Sequence, residues 1–228
     1  MHEEFMFMDW IVDSHVVPHF VSYGFLASIV VIIIALIVRG AMALVPRGTQ
    51  NVVEVVAGAM LQLAEDSIGE HWGRPFFPLI ATIFIYIMVC NFFGLIPGFV
   101  SPTANLNMTA SMAVPVFLAT HYYGFRVHKF SYMRHFFGPI QTLLALPLML
   151  LMFVIEVISH LARPLTLSVR LFGNMTAKHQ LLLVLAVLVP LFAPVPILVL
   201  GVLVSVVQAF VFALLTTLYL AGAVEEAH

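Results

Sequence analysis

The chain reads as an all-α polytopic membrane protein, and three observations predict that class. Of its 228 residues 62% are hydrophobic and only 9% are charged, where a soluble domain carries about a quarter charged residues. Several apolar runs are long enough to cross a hydrocarbon core, which takes about 20 helical residues. From His179 to Val224 there is no Asp, Glu, Lys or Arg. The predicted architecture is three near-vertical transmembrane helices, one interfacial amphipathic helix and a long tilted two-helix hairpin, all in a single membrane domain.

Residues 1–20 form an acidic segment without the basic start of a secretory signal peptide, expected to be retained and to lie outside. The first span is 21–38, closed by Arg39 and followed by Arg47. Residues 51–70 differ in pattern. Val52, Val56, Met60 and Leu63 share one face while Glu54, Gln62, Glu65 and Asp66 occupy the rest, which predicts a helix lying in the interface. A second span, 76–95, is ended by Pro97-Gly98, and the loop from Ser101 to Asn107 has turn chemistry, with Asn105 and Asn107 as turn residues. The third span is 108–124.

The last part holds two long helices, 139–189 and 195–222, separated by Pro190 and Pro194. About 28 residues from Val195 would reach roughly 42 Å, more than the roughly 30 Å core, so strong tilt or bending is expected. Pro164 predicts a kink; a break there into two helices is the alternative.

Cations set the orientation. Arg39, Arg47 and Arg74 flank the first connection, Arg126, Lys129 and Arg134 the third, and residues 91–125 contain neither Lys nor Arg. The positive-inside rule therefore places the N-terminus outside and the C-terminus in the cytoplasm. A net charge of −2 without a basic run excludes nucleic acid as a partner and leaves the lipid bilayer. One cysteine, Cys90, permits no disulfide framework and points to no metal site. His121, His128 and His135 recur every seven residues, but Gly124 and the basic loop argue against a metal. No cofactor is implied.

Arg170 carries most of the functional information. A cation near the bilayer centre costs on the order of 2.5–3.5 kcal/mol on insertion scales, and arginine cannot shed its proton. Such residues face wet cavities or charged partners, so the expectation is an ion pathway. Glu156, Arg163 and Arg170 recur every seven residues and fall near one helix face. Glu156 and Arg170 would stand about 21 Å apart along the axis, two stations on one polar track rather than an ion pair. Asn174 lies one turn beyond Arg170, Lys178 about another turn on, and His179 on the opposite side. From the second long helix, Gln208 is placed to reach toward Arg170. Alternatives stand beside these readings: Glu156 as a structural carboxylate near Arg163, Lys178 as a side chain snorkelling to an interface, and His179 as a satisfied buried histidine.

The run Pro164-Leu165-Thr166-Leu167-Ser168-Val169-Arg170-Leu171-Phe172-Gly173-Asn174-Met175 resembles the signature of the subunit a family of F-type ATP synthases. Gln208-Ala209-Phe210-Val211-Phe212-Ala213-Leu214-Leu215-Thr216 with Tyr219-Leu220 is similar to that family's C-terminal helix, and Pro102 to Asn107 to its loop before the third span. The position of Glu156, fourteen residues ahead of the arginine, also matches. The resemblance implies a non-catalytic ion-translocating stator subunit in a bacterial inner membrane. Its partners would be a c-ring of small hairpin subunits, each with a buried carboxylate, and the peripheral-stalk b subunits. The family's arginine faces that ring, favours the ionised carboxylate and blocks a direct leak between two aqueous half-channels. By resemblance Glu156 belongs to the cytoplasmic side, and Asn174, His179 and Gln208 to the surroundings of the arginine and the opposite side. The family often pairs an acid and a histidine at the position of His179 and seven residues before the glutamine. Here the second position is Gly201.

Two other classes are weaker. A stand-alone secondary transporter would be expected to show an internal repeat of the Arg170 region, and none is visible. An intramembrane hydrolase lacks a His-Glu-x-x-His stretch or a Gly-x-Ser-x-Gly elbow.

Overall fold

A computed structural model describes residues 18–40, 48–96, 99–129, 146–188 and 194–224. Six α-helices account for nearly all of them: α1 (His19–Gly40), α2 (Thr49–Ile68), α3 (Glu70–Phe93), α4 (Leu106–His128), α5 (Leu146–Leu188) and α6 (Pro194–Val224), with a 3-10 turn at Pro102–Ala104. There is no strand among the described residues. Four helices, α1, α3, α5 and α6, are long and apolar enough to cross a membrane. The chain is therefore a multi-pass, all-helical membrane protein. With 23 residues α4 has the length, but Asn107, Thr109, Ser111, Thr120, His121 and Arg126 make it less apolar than those four. The N-terminal segment, the basic loop with Arg134 and His135, and the Pro190 turn lie outside the described residues.

Sequence decides where the helices stop and meet. Gly69, at φ 87°, turns the chain from α2 straight into α3, a backbone region that favours glycine. Across this corner Arg74 Nε donates to Glu65 Oε1 at 2.9 Å. Gly73 brings α3 against the α2 backbone so closely that a Cβ there would stand 2.9 Å from Glu65 Cα. Asn105 begins α4 as its cap, its side chain accepting from the Asn107 amide at 2.9 Å.

The centre of the bundle is α3. Phe76, Ile80, Phe84 and Ile87 pack with Met60 and Ala64 of α2, Ala113 and Val116 of α4, Leu167, Leu171 and Met175 of α5, and Ala209, Phe212 and Leu220 of α6. On α6 the buried positions Gly201, Ser205, Ala209 and Ala213 recur every fourth residue. That small-residue stripe lets backbones approach closely where no hydrophobic force drives helices together. Helices α5 and α6 run antiparallel: Arg163 sits over the Tyr219 ring at 5.3 Å, and Lys178 Nζ meets Ser205 Oγ at 3.1 Å.

Helix α5 is unbroken over 43 residues with Pro164 inside it, so the break at Pro164 does not occur. Thr166 Oγ1 donates to Ala162 O at 2.8 Å and to Arg163 O at 3.0 Å, adding side-chain bonds to the turn that the proline weakens. Its 43 residues reach about 64 Å, twice the hydrocarbon thickness. It is also the least covered of the long helices. Only 11% of its most apolar 18-residue stretch is buried, against 50% for α3.

Candidate functional site: a cation between two polar clusters

Two faces of α5 diverge in character. Leu167, Leu171, Met175 and Lys178 point into the bundle and are buried. Arg170, Gly173 and Asn174 lie one step round the helix and are exposed, flanked by exposed Leu165 and Val169. Arg170 lines a shallow cleft with Leu167, Leu171, Gln208, Val211 and Phe212. Gln208 thus shares the arginine's surroundings, as the spacing predicts. Among the described residues no hydrogen bond or ion pair holds the guanidinium.

Toward the C-terminal end of α5 lies the first polar cluster. Lys178 is 7% exposed, so it does not snorkel, which corrects the reading of its side chain. Its ammonium donates to Ser205 Oγ at 3.1 Å and Asn91 O at 3.4 Å. The bonds continue: Asn91 Nδ2 to Ser205 O at 3.1 Å, Thr103 Oγ1 to Asn91 Oδ1 at 2.7 Å, and Ser101 Oγ to Cys90 O at 2.9 Å. The Ser101 and Thr103 hydroxyls are themselves 2.7 Å apart. Buried polar groups demand such partners, and this cluster supplies them across α3, the 3-10 turn, α5 and α6.

A cavity of about 340 Å³ opens beside this cluster, lined by Asn174, Lys178, Gly201 and Gln208 among others. Gln208 therefore stands between that cavity and the arginine cleft. His179 is half-buried and is not among the cavity's lining residues. Gly201 gains a physical reason: a Cβ there would meet Leu95 Cδ2 at 2.8 Å and Lys178 Cδ at 3.4 Å. The lysine stem occupies the space in front of the position that departs from the family pattern. At the far side of Ser101 a second cavity, about 320 Å³, is lined by Pro18, His19, Ser101 and Asn105.

Toward the N-terminal end of α5 lies the other cluster. Glu156 Oε1 is 3.2 Å from His160 Nε2, so its partner in the structure is His160 rather than Arg163. Arg163 instead lies over Tyr219. His121 of α4 stacks edge-to-face on His160, ring centroids 5.1 Å apart. Sequence does not show that these two histidines meet, because they come together only when α4 packs on α5.

Comparison with known proteins fits this arrangement to a family. The family model described as ATP synthase A chain matches residues 21–221. The chain belongs to the ATP synthase A chain family. It is 49% identical over 208 residues to ATP synthase subunit a of Geobacter sulfurreducens and 48% identical over 208 residues to that of Trichlorobacter lovleyi, each time covering 91% of this chain and 88% of the relative. Against ATP synthase subunit a 1 of Syntrophotalea carbinolica it is 42% identical over the full length of both chains. In this A chain family member Arg170 lies on the least covered of the long helices, between the two polar clusters.

Proposed function

We propose that this chain is the ion-translocating stator subunit of an F-type ATP synthase, passing protons to and from the carboxylates of a rotating c-ring. The supporting observation is the position of Arg170: exposed, held by no described partner, and set between polar clusters near opposite ends of α5. A cation on a membrane-facing surface is costly unless something outside the chain meets it. An acidic residue on a neighbouring ring is the complementary group. The bare apolar flank of α5 and α6 is the surface that such a ring covers, and the b subunits would hold the stator still.

The two clusters then serve as ends of two half-channels. On one side the cavity with Asn174, Lys178 and Gln208 and the chain through Ser205, Asn91, Thr103 and Ser101 lead away from Arg170; His179 borders that side. On the other, Glu156 and His160 stand about 15–21 Å along the helix. With the orientation set by the positive-inside rule, the Glu156 side faces the cytoplasm of a bacterial plasma membrane and the other side faces outward.

The roles follow from charge. A proton arriving by one half-channel neutralises a ring carboxylate, which can then leave the arginine for the lipid. A carboxylate arriving from the other side is held ionised beside the fixed positive charge and must give its proton up first. Because the guanidinium never deprotonates, it does not relay protons itself. Flow is thereby coupled to rotation, and the potential contributes about 2.3 kcal/mol per charge for each 100 mV crossed. The subunit has no catalysis of its own; the chemistry belongs to the complex.

The test uses the whole complex in sealed vesicles. Arg170→Ala is expected to abolish ATP-driven proton pumping with the complex still assembled, and Glu156→Gln to slow it. Retained pumping in the Arg170 variant overturns the assignment. Repeating the assay with and without sodium identifies the coupled ion.

A further inference from the structure

The pairing of His121 with His160 beside Glu156 is not explained by the signature motif. Three ionisable groups from two helices meet there. His160 is 8% exposed, its Nε2 lies 3.2 Å from Glu156 Oε1, and its ring stands at 71° to that of His121. His121 Nδ1 is 2.9 Å from the Phe117 carbonyl. A carbonyl only accepts, so this nitrogen carries a proton and fixes the ring's orientation. Around His160 the other charged or titratable groups described are Glu156 and Arg163 on α5, His121 on α4 and Tyr219 on α6. The Tyr219 ring holds the Arg163 guanidinium at 5.3 Å.

The same place touches the route toward the arginine. His121, Thr120, Arg163 and Tyr219 line a void of about 10 Å³ with Leu167, room for about one water. Leu167 also lines the cleft of Arg170. The histidine pair thus sits beside the path from Glu156 inward, not on a remote surface.

An imidazole changes charge between pH 5 and 8, close to the working pH at which a proton carrier is most effective. We propose that His160, faced by His121, carries protons between Glu156 and the Arg170 cleft on its inner side and makes that half-channel sensitive to cytoplasmic pH. Outward, with His160 protonated from the Arg170 side, its Nε2–H bond breaks as an O–H bond forms at Glu156 Oε1, and the carboxyl group then gives that proton to cytoplasmic water. Inward, the steps reverse. The inference rests on the reading of Glu156 as the cytoplasmic-side carboxylate.

The test is potential-driven proton flux through the membrane sector of the complex in vesicles, with the pH on the Glu156 side varied from 5 to 9. The native complex is expected to show an inflection between pH 5 and 8. His160→Phe keeps the ring against His121, and His160→Gln keeps a hydrogen bond to Glu156. Both are expected to lose the inflection and to conduct several-fold more slowly at neutral pH. His121→Phe removes a neighbouring potential cation and is expected to move the inflection to higher pH. If His160→Phe does not assemble, the glutamine variant decides. An unchanged profile in an assembled His160 variant overturns the role of the histidine. A native complex that passes no protons overturns the proposed function as well, so the two failures are told apart.

Discussion

Arg170→Leu separates a functional cation from a structural one by the sign of its effect on stability. The guanidinium is exposed and makes no hydrogen bond or ion pair among the described residues. Removing it therefore breaks no described bond. On insertion scales arginine at a helix centre costs about 2.5–3.5 kcal/mol, and leucine returns about 0.3–0.6 kcal/mol, so the exchange relieves up to roughly 3–4 kcal/mol. Snorkelling reduces that figure but does not reverse it. A guanidinium bonded to buried carbonyls would behave oppositely, since each charged bond is worth about 1.5–3 kcal/mol. Thermal unfolding of the purified chain in lipid discs gives the sign. The expected result is a melting temperature unchanged or raised, alongside loss of coupled pumping in the complex. A variant destabilised by more than about 2 kcal/mol would show that the arginine holds the fold, and the argument from its exposed position would fail.

Lys178, eight residues along the same helix, should answer differently. Lys178→Met keeps the stem that fills the space before Gly201 and removes a buried charge with its two bonds; these effects oppose each other, and the change is expected to stay within about 2 kcal/mol. Lys178→Ala also opens a void, and is expected to melt lower than the Met variant by about 2 kcal/mol or more. Two glycines make a second contrast. At Gly73 a new Cβ meets α2 backbone at 2.9 Å, whereas at Gly201 it meets the movable end of Leu95 at 2.8 Å. Gly73→Ala should cost about 1–3 kcal/mol by the same unfolding assay, while Gly201→Ala should be nearly neutral, helped by about 1 kcal/mol of helix propensity.

The amino-acid sequence made the helices and the family motif around Arg170 legible because both are local. An apolar run without charges has few alternatives in a bilayer, and the motif around Arg170 is contiguous. The cleft that Gln208 shares with Arg170 follows from helical spacing and an antiparallel hairpin. What escaped was non-local. Sequence alone suggests a snorkelling Lys178, because its partners Asn91 and Ser205 lie 87 and 27 residues away, and only the packing of α3 and α6 brings them to it. The continuity of α5 across Pro164 was legible for another reason. Proline propensity argues for a break, but in a membrane the rest of the helix has no water to unwind into.

Two of the cations of α5, Lys178 and Arg170, show how burial separates side chains that charge alone does not. Lys178 lies inside the bundle with its hydrogen bonds made within the chain. Arg170 faces outward on the helix least covered by its neighbours. A membrane protein keeps an exposed intramembrane charge only if something in the assembly repays its cost of about 2.5–3.5 kcal/mol. Within the described residues nothing bonded to the guanidinium does so. On the proposed function the compensation comes from a group that meets this face of α5, and because that group also carries protons it is ionised beside the arginine and neutral when it leaves. A ring of carboxylates turning past the face satisfies both conditions, whereas a single fixed acid would lock into an ion pair and stop the flow.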